Sequence, residues 1–142
     1  MDISKNGLAL IESFEGLRLT SYADQRGIPT VGYGHTEGVY LGMSITQAQA
    51  EAYLHADAQV AVQAVSRLVK VTVTQNEFDA LVSLAFNVGQ GHFAGSTVLR
   101  DLNAGNTSGA AAAFMMWDKT DGEVNAGLAR RRQAEMKMFL GN

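Results

Sequence analysis

The chain has 142 residues, no cysteine, and eleven basic against fourteen acidic side chains, a formal net charge of −3. Hydrophobic residues make up 46% and charged residues 18%, the balance of a soluble globular chain with enough length for a real core. These totals exclude disulfides, thiol catalysis and a cysteine zinc site, and they argue against a nucleic-acid partner, which needs a basic face.

Read in order, the chain opens with a helix capped by Ser4 or Asn6 and closed at Gly16, a natural C-terminal glycine. Leu8, Ile11 and Glu15 fall on one face of it, which sets Glu15 on or beside the buried stripe, where desolvation raises a carboxyl pKa. Residues 17–23 alternate loosely as a strand, Asp24-Gln25-Arg26-Gly27 is a polar turn, and 28–33 return, with Pro29 restricting that segment to an edge or irregular position. Asp24, open to water and beside Arg26, is expected to stay ionised. A hairpin folding back beside a helix end gathers Glu15, Asp24 and Thr30. Two carboxyls facing a gap, their pKa values pushed apart by environment, with a hydroxyl beside one of them, suit acid/base hydrolysis of a glycosidic bond. Gly32 and Gly34 let backbone approach either a ligand or a neighbouring segment.

After an irregular link over 36–44, Thr46-Gln47-Ala48-Gln49 is a capping box opening a long helix to about Val69. Thr74-Gln75-Asn76-Glu77 is a second box, starting a helix that runs to Gly89. Shorter helices are predicted over 96–104 and, capped by Thr107, over 108–117, where Met115, Met116 and Trp117 read as core. The last helix spans about 126–140. One short β region among helices is an α+β pattern, unbroken by linker or repeat. Gly89-Gln90-Gly91 follows a helix rather than a strand and is not a nucleotide loop. His35, His55 and His92 have no metal spacing, so no metal or cofactor is expected. Arg130, Arg131 and Arg132 sweep most of a helix circumference, so at least one points inward.

Glu15, Asp24 and Thr30 at this spacing, followed by Gly32, Gly34 and His35, resemble the phage lysozyme (endolysin) family, which includes the lysozymes of T-even phages. The resemblance continues through Phe86-Asn87-Val88-Gly89-Gln90-Gly91, Ser96-Thr97-Val98-Leu99-Arg100, and Gly127-Leu128-Ala129-Arg130-Arg131-Arg132 with Glu135, covering essentially the whole chain. It implies the phage-lysozyme fold: a β-containing lobe of about residues 13–60, a helical lobe of about 61–142 that takes in the N-terminal helix, a long joining helix and a cleft between lobes. It implies a muramidase that hydrolyses the β-1,4 bond between N-acetylmuramic acid and N-acetylglucosamine of peptidoglycan, with Glu15 as acid and Asp24 and Thr30 activating water.

Further expectations follow from the same likeness. Gly34, Thr36, Phe86 and Asn87 would contact substrate. Arg131 would reach Glu15, with Arg130 and Arg132 as alternatives, and His35 would form a structural ion pair with Asp57. The partners would be peptidoglycan glycan strands, with no stable membrane association, in a monomer. Residues 1–5 do not form a basic leader and no apolar run is long enough to span a membrane, so the protein would wait in the host cytoplasm for a holin. The net charge departs from the family, many members of which are basic; residues 1–60 carry three basic and seven acidic side chains, which weakens any electrostatic steering toward an anionic wall. Rival readings are a lytic transglycosylase, which needs only one acid, and a wall-binding module without activity.

Overall fold

The computed structural model describes residues 1–141, so the last position of the expected 61–142 lobe lies outside the described residues. Among them are seven α-helices and two small antiparallel sheets, an α+β architecture. By internal packing the chain divides into two units, Ile11–Gln59 and Met1–Leu10 with Val60–Asn142.

The Ile11–Gln59 unit begins within helix α1, Lys5–Glu15. Gly16, at φ 73°, stops that helix because it takes a left-handed conformation without a Cβ clash. Strands β1, Arg18–Ala23, and β2, Pro29–Gly32, pair antiparallel, with Tyr22 opposite Thr30, Ala23 opposite Pro29, and a register shift between Arg18 and Tyr22. Pro29 stands first in its strand, where a missing N–H costs least. The link after β2 is less irregular than its sequence indicates. Ser21 donates its N–H to Met43 O and Ile45 donates to Leu19 O, so this return segment also pairs with β1. Helix α2, Gln47–Leu68, starts at the expected capping box, since Gln49 N–H donates to Thr46 Oγ1 and the Gln49 side chain accepts from Thr46 N–H. Ile11, Val31, Tyr33, Ile45, Ala50, Leu54 and Ala58 are buried.

The other unit holds the start of α1, whose N-terminus is capped by Ser4, with Asp79 accepting from Ser4 N–H. It continues with the end of α2 and with α3, Gln75–Val88, whose capping box at Thr74 is complete. Then come α4, Gln90–Ala94; α5, Thr97–Asn103; α6, Thr107–Ala113; a 3₁₀ turn, Phe114–Trp117; strands β3, Lys119–Thr120, and β4, Glu123–Val124; and α7, Ala126–Phe139. Helices α3 and α7 pack together most extensively, and Phe114 meets Phe139 at 5.4 Å between ring centres.

Three local readings are corrected here. Asn106, not Thr107, caps α6, because its Oδ1 is the atom that accepts from Gly109 N–H. The chain tightens into 3₁₀ geometry at Phe114, which turns the buried position to Phe114 and leaves Met115 and Trp117 half-buried and Met116 exposed. The β3–β4 hairpin was not anticipated; its turn residues Asp121 and Gly122 have φ of 53° and 82°, the positive pair a tight hairpin turn demands.

Candidate active site

Glu15 is the last residue of α1 and is half-buried rather than buried. The segment facing it is made by a narrow loop. Val31 and His35 exchange both backbone hydrogen bonds, at 2.9 Å each, and enclose Gly32-Tyr33-Gly34. The two glycines of this loop do different jobs. A Cβ on Gly32 would stand 3.3 Å from Ala50 Cβ, so Gly32 lets the loop lie against α2. A Cβ on Gly34 would meet one atom within 4 Å, Glu15 Oε2 at 3.8 Å. The bare backbone of Gly34 therefore borders the Glu15 carboxylate.

Asp24 stands at the head of the β1–β2 turn. Its Oδ1 accepts the backbone N–H of Arg26 at 2.8 Å and of Ile28 at 2.9 Å, and its Oδ2 accepts from Arg26 Nη2 at 3.1 Å. The Ile28 N–H first, and then Arg26 through side chain, backbone and charge, hold its carboxyl below the usual range against the opposing effect of desolvation. Asp24 is thus the ionised partner, as its polar turn suggested. Thr30 is buried on β2 and its hydroxyl donates to Ile28 O at 2.9 Å. One residue therefore registers both side chains: Ile28 gives its N–H to Asp24 and takes the Thr30 hydroxyl on its carbonyl. A recess of about 500 Å³ is lined by Tyr22, Ala23, Asp24, Gln25 and Arg26.

His35 follows the loop and is buried. Its Nδ1 lies 2.9 Å from Asp57 Oδ2, and its ring stacks on Tyr53 at 4.1 Å and 10°. Both faces of that geometry anchor the loop to α2, and the stacking on Tyr53 could not be read from the sequence. Thr36 is exposed and its carbonyl accepts from Val39 N–H.

The remaining site candidates belong to the helical unit. Phe86 is half-buried and Asn87 exposed near the end of α3. Arg131 and Arg132 are both buried on α7, while Arg130 is exposed. Glu135, fully buried, binds both: Arg131 Nε at 3.2 Å and Arg132 Nη1 at 2.5 Å, with the Ser83 hydroxyl also donating at 2.5 Å. Arg132 then reaches outward, from Nε to Trp117 O at 2.9 Å and from Nη2 to Asn87 Oδ1. The sequence placed Glu135 beside the arginine run but gave no sign of Ser83 or of the hold on Asn87. The i, i+3 and i, i+4 spacings of Arg132 and Arg131 to Glu135 were the one available signal. Among the described residues no group of three or more His, Cys, Asp or Glu is arranged to hold a metal, and no helix is long and apolar enough to cross a membrane.

Comparison with known proteins gives one consistent answer. The sequence model of the phage lysozyme family matches residues 12–135. The endolysin of Salmonella phage P22 is 46% identical over 145 aligned positions, covering 99% of each chain. A crystal structure of a P22 lysozyme point mutant superposes with a TM-score of 0.92 at 45% identity, covering 99% of both chains. The muramidase domain of SpmX from Asticaccaulis excentricus superposes with a TM-score of 0.91 at 43% identity, over 98% of this chain and 97% of that one.

Proposed function

Because this chain belongs to the phage lysozyme family and is a lysozyme-type glycoside hydrolase that degrades bacterial cell wall, we propose that it cuts the β-1,4 bond between N-acetylmuramic acid and N-acetylglucosamine with inversion. Glu15 protonates the leaving oxygen. Asp24 takes a proton from water, and Thr30 orients that water. The observation that carries the assignment is the shared hold of Ile28 on Asp24 and Thr30. It keeps a carboxylate ionised through the same residue that takes the proton of the Thr30 hydroxyl on its carbonyl, so that the Thr30 oxygen is left to accept from water. Such a pair suits water activation and gives Thr30 a task it would lack if Asp24 attacked the sugar directly. The flank of Glu15 at Gly34 is bordered by backbone that carries no side chain.

On this reading Gly34 and Thr36 contact the glycan. The name of the SpmX domain supports the muramidase assignment. The biological setting we propose is host lysis by a monomer, held in the cytoplasm and released to the wall by a holin.

The test is the anomer first formed. NMR of the products from soluble peptidoglycan fragments should show an α-configured new reducing end, since inversion of a β bond gives α; inverting enzymes hold their carboxyls about 6.5–9.5 Å apart to admit the water. Glu15→Gln should lower kcat by about 10²–10⁴-fold. A β-configured first product would overturn the roles of Asp24 and Thr30 while leaving Glu15 as the acid.

A further inference from the structure

A carboxylate offers about four lone-pair sites. On Asp24 the structure fills three of them: two on Oδ1 by the N–H groups of Arg26 and Ile28, and one on Oδ2 by the Arg26 guanidinium. Two of those three bonds come from a single residue. The turn makes this possible, because Gly27 N–H donates to Asp24 O and Asp24 N–H donates to Ile28 O, which brings the Arg26 backbone back over the carboxylate. The Arg26 side chain is 73% exposed and lies on the same recess as Asp24. An ion pair that exposed adds little to stability. Its effect on direction is different: the guanidinium decides which edge of Oδ2 remains open.

We propose that Arg26 is a positioning residue for hydrolysis, gripping Asp24 at both oxygens so that one lone pair on Oδ2 is left to receive the proton of the attacking water. In that step the water O–H bond breaks and its proton passes to Asp24 Oδ2; the water oxygen bonds to the anomeric carbon while the bond from that carbon to the glycosidic oxygen breaks, its electron pair going to the leaving oxygen, which takes the Glu15 proton. The inference rests on Asp24 being the base. Arg26 also supplies positive charge beside the carboxylate, which keeps it ionised in mild acid. The other titratable group lining this recess is Tyr22 of β1, with the Arg18 guanidinium 4.5 Å from its ring centre. Arg26 is the charged group that bonds to Asp24.

The experiment compares wild type, Arg26→Gln, Arg26→Lys and Asp24→Asn in kcat/KM against pH on soluble peptidoglycan fragments. Alongside it, ¹³C NMR follows the titration of the Asp24 carboxyl in the full protein. Arg26→Gln should lower kcat roughly tenfold, the scale of one charge-assisted bond lost at a reacting group. It should also move the acid limb and the Asp24 titration to higher pH together, with the thermal midpoint little changed. Arg26→Lys keeps charge without the planar fork, so its acid limb should stay near wild type while kcat recovers only in part. If Asp24→Asn is inactive but Arg26→Gln has the wild-type profile and titration, the role given to Arg26 is wrong. If Asp24→Asn keeps wild-type activity, the assignment of Asp24 as base falls, whatever Arg26 does to its titration.

Discussion

Replacing Glu135 by glutamine should be the most damaging conservative substitution in the helical unit. Glutamine matches the shape, so no cavity forms, but the negative charge shared by Arg131 and Arg132 is lost. Glu135 is 0% exposed, and the side chains of Arg131 and Arg132 are 5% and 1% exposed. None of the three can gain much from water once the partnership is altered. Removing one partner of a buried ion pair costs about 3–5 kcal/mol, because the charge left behind has already been desolvated. Unfolding entropy near 60 °C is about 2.1 cal/mol/K per residue, hence roughly 0.3 kcal/mol/K for a chain of this length. The melting temperature should therefore fall by about 10–17 °C. Scanning calorimetry of wild type and Glu135→Gln at pH 7 measures this, with Arg130→Gln as an exposed control expected to stay within about 0.5 kcal/mol. A drop under about 3 °C for Glu135→Gln would refute the reasoning. It would mean that the buried charges relax as readily as surface ones.

Other outcomes follow from single contacts. Gly16→Ala and Gly32→Ala both force alanine to positive φ, at 73° and 68°, but only Gly32 also meets Ala50. The first should cost about 1 kcal/mol in urea unfolding and the second visibly more; equal losses would remove the case for crowding against α2. Asp24 has a lowered pKa, so its contribution to stability is present above the unfolded value of about 3.9 and is lost as pH falls through the lower folded value. The stability gap between wild type and Asp24→Asn should thus shrink on acidification, and a gap independent of pH would count against it. Glu12 has a raised pKa, from burial and then from Glu51, so its ionisation costs stability as pH rises through its folded value. Glu51→Gln should lower the Glu12 titration and that of Tyr33, which burial, Glu12 and Glu51 raise; an unmoved Glu12 would show that Glu51 is too well solvated to matter.

Features written locally in the chain were legible. Both capping boxes, at Thr46 and Thr74, form as their spacing requires, and Gly16 ends α1, because each depends on atoms within four residues. The ionised state of Asp24 was legible for the same reason, since its partners Arg26 and Ile28 lie in its own turn. The buried network was not. Ser83 and Glu135 are separated by 52 positions and meet only when α3 packs on α7, and a serine in an apolar helix gives no sign of that partner. Helix α4 was missed because five residues, preceded by Gly89 and with Gly91 second among them, carry no helical period. The β3–β4 hairpin is a different failure. Asp121-Gly122 is a strong turn signal, but strands of two residues each offer no alternation to read beside it.

The border between Gly34 and Glu15 has a consequence for how this enzyme can change over generations. On that side the carboxylate faces peptide rather than a side chain, and peptide is common to every residue. No mutation elsewhere in the loop can alter the chemical groups presented there, provided the doubly bonded Val31–His35 frame persists. Drift in the loop can alter flanking side chains such as Thr36 while the surface beside the acid stays the same. Only replacement of Gly34 itself would disturb it, and that would have to overcome backbone strain at φ 88° and would set a side chain in contact with the Glu15 carboxylate. Glu15 is thus insulated on that side from sequence variation in the loop.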